Sequence, residues 1–533
     1  MNLRTASLRG ALALGLATSI IGVAQSAMAD VTIPYGVGST VYSIANTSSS
    51  SSATVVAAYY PPGGNTAALT QNYNVPAHGR LDVTVNDPVL GASWQGSVVL
   101  SSDQDIVSAA MINYTGKPAY ETQQAPGDQG TETSMYDAFN NGDTSLYVPL
   151  IQRGATVAAT SRVRLASRYT IQNTTANAAT VYLTYRTDTG TLIGSGAQVV
   201  TLQPYGSRTF QTIKDSDLPA VFTGRASITI TSTQAIAGVV EQVWDNEFGL
   251  QNWSADYSML TTAQKNTTLF SPQAQRQCII AIGCKTPANG GVISNYNIFT
   301  SFSLQNTSPS ATANVQMFLT PVVGNAATYS FQIAPASGYD VNLFNGGQIP
   351  SNAALWTTLG TGDFRGSVKF VSDQPLVGAG FIQQPNGLQN YASAYGLVST
   401  SDATNKIVVP WFDRKCKINP CPALQPFTAY NSFTNLTIAN LGAAAVNITA
   451  VNFYTATGGA PIATIPAFSL AAGGSYFINS RGGGDASFTI IQSLSTGYGG
   501  YVEVIADPGA TIKGVVTINR GNLGADAYNA PNR

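Results

Sequence analysis

Charge is scarce in this chain. Only 10% of its 533 residues are Asp, Glu, Lys or Arg, against roughly 25% in an ordinary soluble domain. The 25 basic and 26 acidic residues nearly cancel, so there is no basic field to draw in a polyanion and no nucleic-acid partner is expected. The polar surface must come instead from Ser, Thr, Asn, Gln and Gly, which suits strands and neutral contacts between molecules. Histidine is rarer still. His78 is the only one, which excludes a three-histidine metal centre. It stands in the turn Pro76-Ala77-His78-Gly79, where other copies of the repeat described below carry Tyr205, Ser337 or Gly473. So tolerant a position reads as an exposed turn. With His78 set aside, no Ser–His–Asp or Cys–His arrangement can be built, and there is no Gly-x-Ser-x-Gly elbow.

Long apolar runs are also missing beyond the start of the chain. Residues 1–29 carry Arg4 and Arg9, an apolar centre over 12–23, and Ala27-Met28-Ala29 before Asp30. That is the layout of a cleaved secretory signal peptide. A retained anchor is the competing reading, but the centre falls short of the roughly 20 residues a span needs. The mature chain is therefore expected outside the cell, with no membrane span. Apolar spacing of three and four residues is likewise missing, so little helix is expected. Cysteine is limited to two close pairs, Cys278/Cys284 and Cys416/Cys421. Export favours oxidation, so one disulfide within each pair is expected. A four-cysteine zinc site is the rival, and the spacings fit it poorly.

What the chain has in abundance is repetition. An aromatic, a spacer and a glycine occur as Trp94-Gln95-Gly96, Phe222-Thr223-Gly224, Phe364-Arg365-Gly366 and Tyr498-Gly499-Gly500. Each leads into a strand, a polar turn (Asp103-Gln104, Thr233-Gln234, Asp373-Gln374, Asp507-Pro508) and a second apolar run. Upstream, each copy has a strand ending in asparagine: Asn46, Asn173, Asn306 and Asn440. Near its end each copy has a tyrosine: Tyr136, Tyr257, Tyr395 and Tyr528. The period, about 130 residues, is that of a small domain rather than a solenoid unit. Alternation of apolar and polar residues between turn signals reads as antiparallel β throughout. The fold predicted is all-β: four antiparallel β-sandwich domains of immunoglobulin-like kind, at 30–142, 143–265, 266–403 and 404–533. A single closed membrane barrel is the rival, with strands longer than most seen here. The recurrent aromatic and glycine (Trp94, Gly96, Phe222, Gly224, Phe364, Gly366, Tyr498 and Gly500) read as core packing with close strand approach, against a repeated ligand platform.

Candidate chemistry is thin. The densest acidic group is Glu241, Asp245 and Glu247, beside Trp244 and Trp253. Aromatics beside acids can line a sugar-binding cleft, and paired carboxylates can hydrolyse a glycoside without histidine. The alternative is a solvated loop. Asp103, Asp105, Asp188 and Asp373 stand in turns where calcium is conceivable, but no loop is Asp-rich enough to favour it over turn chemistry, and no cofactor is expected. The glycine-rich 480–485 reads as a flexible loop leading to a strand. Asn46-Thr47-Ser48, Asn173-Thr174-Thr175 and Asn306-Thr307-Ser308 are glycan acceptor triplets.

The order of strand and Asn, turn, strand, Pro/Gly turn, aromatic-x-Gly-Ser and Ser-Asp-Gln resembles the tandem β-sandwich repeats of bacterial cell-surface, surface-layer-like proteins. Repeats one and three carry it best, through Trp94-Gln95-Gly96-Ser97 and Phe364-Arg365-Gly366-Ser367; repeats two and four depart at Gly224-Arg225 and Gly500-Tyr501. The resemblance implies extracellular structural or adhesive work and brings no catalytic residues. The first expectation is a secreted, self-associating structural protein of the cell envelope. The second is an adhesin for carbohydrate or surface polysaccharide with Trp244 and Trp253 as contacts, and the third a glycosidase using Glu241 or Glu247.

Overall fold

The computed structural model describes residues 37–531 except 92–93, 118–129, 140–141, 155, 158–161, 164, 245–252, 280, 282, 285–294, 323–325, 386–390, 418–429, 487 and 521–524. Residues 1–29, Glu247 and Cys421 lie outside the described residues. The protein is all-β, about 62% strand and 6% helix. Alternation explains most strands: along Ala53–Tyr60 the residues Ala53, Val55, Ala57 and Tyr59 are buried, and Ala313–Pro321 turns Ala313, Val315, Met317 and Leu319 inward. Residues of one parity make the core face and the other parity meets water.

From the strand that ends in asparagine onward, the repeats follow a common order of strands. In the third, after Asn266–Cys278, it is Tyr296–Asn306, Ala313–Pro321, Ala327–Ile333, Gly338–Asn342, Phe364–Gln384 and Tyr391–Gly396. The two separate sheets expected of a sandwich occur in the first repeat, one of four strands and one of three. In the second and third repeats a 21-residue strand, Gly224–Trp244 or Phe364–Gln384, passes through both layers and joins them into one eight-stranded sheet. The fourth joins its layers into ten strands. The short helices Ala354–Leu359 and Phe488–Ser493 lie in repeats three and four. The second corrects the reading of 480–485. There Gly483–Gly484 pairs with Ile478 and Asn479, and the chain goes on into helix.

The four asparagines have one shared task. Each is fully buried and spends its side chain on the main chain of its own turns. Asn306 Nδ2 donates to Ala311 O at 2.7 Å and Ile333 O at 3.1 Å, while its Oδ1 accepts from Ser308 N at 3.0 Å. Asn46, Asn173 and Asn440 make the corresponding bonds. Buried main-chain groups need partners, and these side chains supply them. Of the two readings of the triplets at Asn46, Asn173 and Asn306, glycan acceptors or chance matches in a Thr- and Asn-rich chain, the second fits this fold, because each amide is inside and committed.

The glycine landmark holds in three repeats. A Cβ on Gly96 would lie 2.1 Å from Tyr60 O, on Gly366 2.0 Å from Thr320 O, and on Gly500 2.0 Å from Tyr454 O. In repeat two the register differs. Pairing sets Ala226 opposite Thr187, as Gly500 is opposite Thr455, and a Cβ on Gly224 would meet nothing within 4 Å. Gly224 instead has φ of 101°, a conformation glycine favours. The aromatics Phe222, Phe364 and Tyr498 are buried and Trp94 is half-buried.

A feature absent from the sequence reading joins the first strand to the last. A bulge occurs at Pro149, Pro272 and Pro410, where the ladder shifts register. Proline has no N–H to give a ladder, and the terminal tyrosine fills the gap. Tyr257 donates to Leu150 O, Tyr395 to Gln273 O at 2.5 Å, and Tyr528 to Trp411 O at 3.2 Å.

The repeats close into a ring. The last strands Gly130–Asp137, Trp253–Ser258, Tyr391–Gly396 and Ala525–Asn529 pack in cyclic order about one axis, the fourth against the first. Outside them, one turn per repeat docks on the preceding repeat. Ser97 Oγ donates to Tyr205 O, Ser227 Oγ to Ala336 O and Ser367 Oγ to Gly473 O. The ring is completed by His78 of the first repeat, set edge-on to Tyr454 at 4.6 Å and to Tyr501 of the fourth. His78, Tyr205, Ala336 and Gly473 all have positive φ, so the third repeat's counterpart is Ala336, not Ser337. His78 is half-buried in this seam rather than exposed. Cores cross the boundaries too: Val515 and Ala527 of repeat four pack with the core of repeat three, and Met111 and Met135 of repeat one with that of repeat four.

Candidate functional site

Of the acidic and aromatic residues singled out in repeat two, Glu241 is the one whose side chain lies among the described residues. Glu241 is 3% exposed and forms an ion pair with Arg168 across the sheet. As a ligand contact it is corrected: a buried carboxylate held by its arginine is built into the wall. Trp244 and Trp253 are cross-strand partners at the end of the ladder, their side chains outside the described residues. The turn carboxylates act on main chain. Asp103 accepts from Thr54 N at 2.7 Å and Asp373 from Asn314 N at 2.8 Å. Cys278 and Cys284 are bonded as expected. Cys416 is also in a disulfide. Among the described residues, the one group with metal-ligand spacing is Cys278, Cys284 and Asp363, and its sulfurs are already joined.

Polar side chains converge elsewhere, in a cleft of about 210 Å³ between repeats three and four. Repeat three contributes Gln273, Gln275 and Gln277. They alternate along Asn266–Cys278 with Ala274, Arg276 and Cys278, which are buried on the other face. Repeat four contributes three neighbouring strands. Asn435 lies opposite Asn479 on one side and Thr517 on the other, and Phe433 lies opposite Asn519. Opposed residues share a face, so pairing register alone brings these groups together. The rim carries Tyr391, Phe477, Arg365 and Arg481. Among the described residues no carboxylate lines the cleft.

Several lining groups are fixed. Thr437 Oγ1 donates to Gln273 Oε1 at 3.1 Å across the seam. Arg365 gives both Asp485 oxygens a bond at 2.9 Å and lies over the Phe477 ring. Arg481 lies over Phe433, 5.2 Å from its centroid, and burial lowers its pKa. Burial also raises the Tyr391 phenol. Three buried atoms have no hydrogen-bond partner in the protein: Asn435 Oδ1, Thr517 Oγ1 and Asn519 Oδ1. Thr517 is 2% and Asn519 1% exposed. Such groups cost roughly 1–3 kcal/mol each when left unbonded, and three of them line this one cleft.

Two other junctions carry different side chains at the corresponding positions. Between repeats four and one, Trp411 and Asp413 occupy the places of Gln273 and Gln275. Arg80 lies 4.7 Å over the Trp411 ring and pairs with Asp413 at 3.4 Å. Between repeats two and three, Leu150 and Gln152 take those places, and Arg225 pairs with Asp340. Gln152 Nε2 donates to Val243 O at 3.3 Å, while Gln152 Oε1 and Trp411 Nε1, like the three atoms of the cleft, have no hydrogen-bond partner among the described residues.

The signal was present in sequence as glutamine at every second position, Gln273, Gln275 and Gln277. A search for acids and tryptophans passes over it. Its partners come from strands more than 150 residues later, and only the ring closure sets them opposite.

No family model matches the chain, and no curated protein matches it. Among solved structures it is similar to the crystal structure of Thermotoga maritima 1070, at 13% identity over 23% of this chain and 97% of that chain, with a TM-score of 0.18. A likeness of that extent carries no argument about function.

Proposed function

We propose that the chain is an exported, non-catalytic binding protein whose ring holds a ligand in the cleft between repeats three and four. The observation that carries this is the set of three unpartnered buried polar atoms on Asn435, Thr517 and Asn519 facing one cleft. Among the described residues the lining has no carboxylate to act as acid, base or nucleophile, which favours recognition over turnover. Export rests on the composition of residues 1–29, and a surface polysaccharide is the partner class that such a neutral lining fits. The test is retention of the mature protein, residues 30–533, on immobilised cell-surface polysaccharides. Retention is expected for the native chain and for Trp244→Ala, and loss for Asn519→Leu. Failure of the native chain to bind any of them would refute the reading.

The second reading is a self-associating envelope protein, which the 10% charge content supports through neutral lateral contacts. Negative-stain microscopy over a concentration series tests it. Regular sheets or fibres would favour it, and isolated particles throughout would dismiss it.

A further inference from the structure

We infer that the cleft recognises a single neutral, hydroxyl-rich ring, a free monosaccharide or the terminal unit of a glycan. This rests on the binding reading above. Size sets the first limit. At about 210 Å³ the cleft is smaller than the ~300–1,000 Å³ of sites for larger ligands, so it fits one ring rather than a run of them.

Hydrogen-bond chemistry sets the second. Asn435, Thr517 and Asn519 together offer amide and hydroxyl ends, and the three glutamines opposite add amides that both donate and accept. A sugar hydroxyl also does both, so it satisfies either end of each amide. An ionised carboxylate only accepts and would leave the buried oxygens of Asn435 and Asn519 unmet. An ammonium only donates, and among the described residues the lining offers it no carboxylate.

Charge sets the third. The two cations on the rim are already engaged: Arg365 is bidentate to Asp485, and Arg481 lies on Phe433. Neither is a bare charge waiting for an anion. Phe433, covered by Arg481, lies beside Asn519 in the ladder and backs the hydrogen-bonding groups with an apolar wall.

The experiment is calorimetric titration of the native chain with glucose, N-acetylglucosamine, glucuronic acid and glucosamine, repeated with Thr517→Val and Asn519→Leu. One neutral sugar is expected to bind with one site per chain, the acid and the amine more weakly. Each substitution should weaken binding about tenfold, the loss of one buried hydrogen bond. Both variants should melt no lower than the native chain, because each replaces an unbonded polar group by an apolar one. Preference for the acid or the amine, or neutral-sugar binding unchanged in both variants, would overturn the inference. Retention on a polysaccharide that Asn519→Leu abolishes, without binding of any monosaccharide, would overturn the single-unit claim and leave the binding reading standing. Terminal-unit recognition is separated from free sugar by competition: the free monosaccharide should displace the polysaccharide.

Discussion

Asp526, near the end of the fourth repeat, accepts the main-chain N–H of Met135, in the first repeat, at 2.6 Å. The same carboxyl accepts from Asp256 N of the second repeat at 3.3 Å, Ala394 N of the third at 3.1 Å and Ala527 N of its own strand at 2.7 Å. One side chain thus bonds a strand from every repeat. It is fully buried, and burial together with nearby Asp256 pushes its pKa well above the ordinary carboxyl range. Asp526→Ala would leave four axial N–H groups without this acceptor. A loss of about 4 kcal/mol is expected at pH 5, read from urea unfolding. A loss below about 1 kcal/mol would mean that the axis is held by apolar packing alone.

The seam between repeats four and one depends on Arg80. Its guanidinium binds Asp82, Asp413 and Gly500 O and covers Trp411. Burial would raise Asp413, but Arg80 and then Lys415 outweigh it and hold the carboxyl below its usual range. Arg80→Met should cost about 3 kcal/mol, because it leaves the buried Asp413 carboxylate with Lys415 as its remaining ion-pair partner. Limited proteolysis should then release the first repeat earlier than in the native chain.

The glycine register can be tested by a pair of substitutions. Gly366→Ala drives a methyl into Thr320 O, 2.0 Å away, and should cost about 3 kcal/mol or more. Gly224→Ala meets no atom within 4 Å and bears only the strain of φ at 101°, about 1–2 kcal/mol. Equal melting temperatures for the two would contradict the pairing described for repeat two.

A pH dependence is expected at the junction of repeats two and three. Burial raises Asp188 to about 6, with Arg225 lowering it and Asp340 raising it again. A raised carboxyl favours the folded state when protonated. Its stabilisation is fully present below the unfolded value near 4 and is lost as pH rises through about 6. Asp188→Asn should remove that slope between pH 4 and 6.5 in a series of thermal melts. A slope unchanged by the substitution would assign it to other groups.

Much of the architecture was legible because it is local. Strand class followed from alternation, and the repeat from Asn46, Asn173, Asn306 and Asn440, each of which ends its strand where expected. What those asparagines do was only half legible, since each binds a second turn some 30 residues away as well as its own. Repeat two misled because its aromatic and glycine fall two positions early, and only pairing shows that Ala226 takes the shared place. The ring was hidden for a similar reason: Arg80 meets Asp413, and Asp526 meets Met135, through contacts that no local pattern encodes. The cleft is a product of the ring, so its residues read one at a time as ordinary polar strand positions.

The most direct measurement is hydrogen–deuterium exchange of the native chain with and without a saturating pool of neutral monosaccharides. Protection is expected in peptides covering 273–277, 433–437 and 515–519, and in none around 241–257. Protection confined to that second region, or no change anywhere, would contradict a ligand site between repeats three and four.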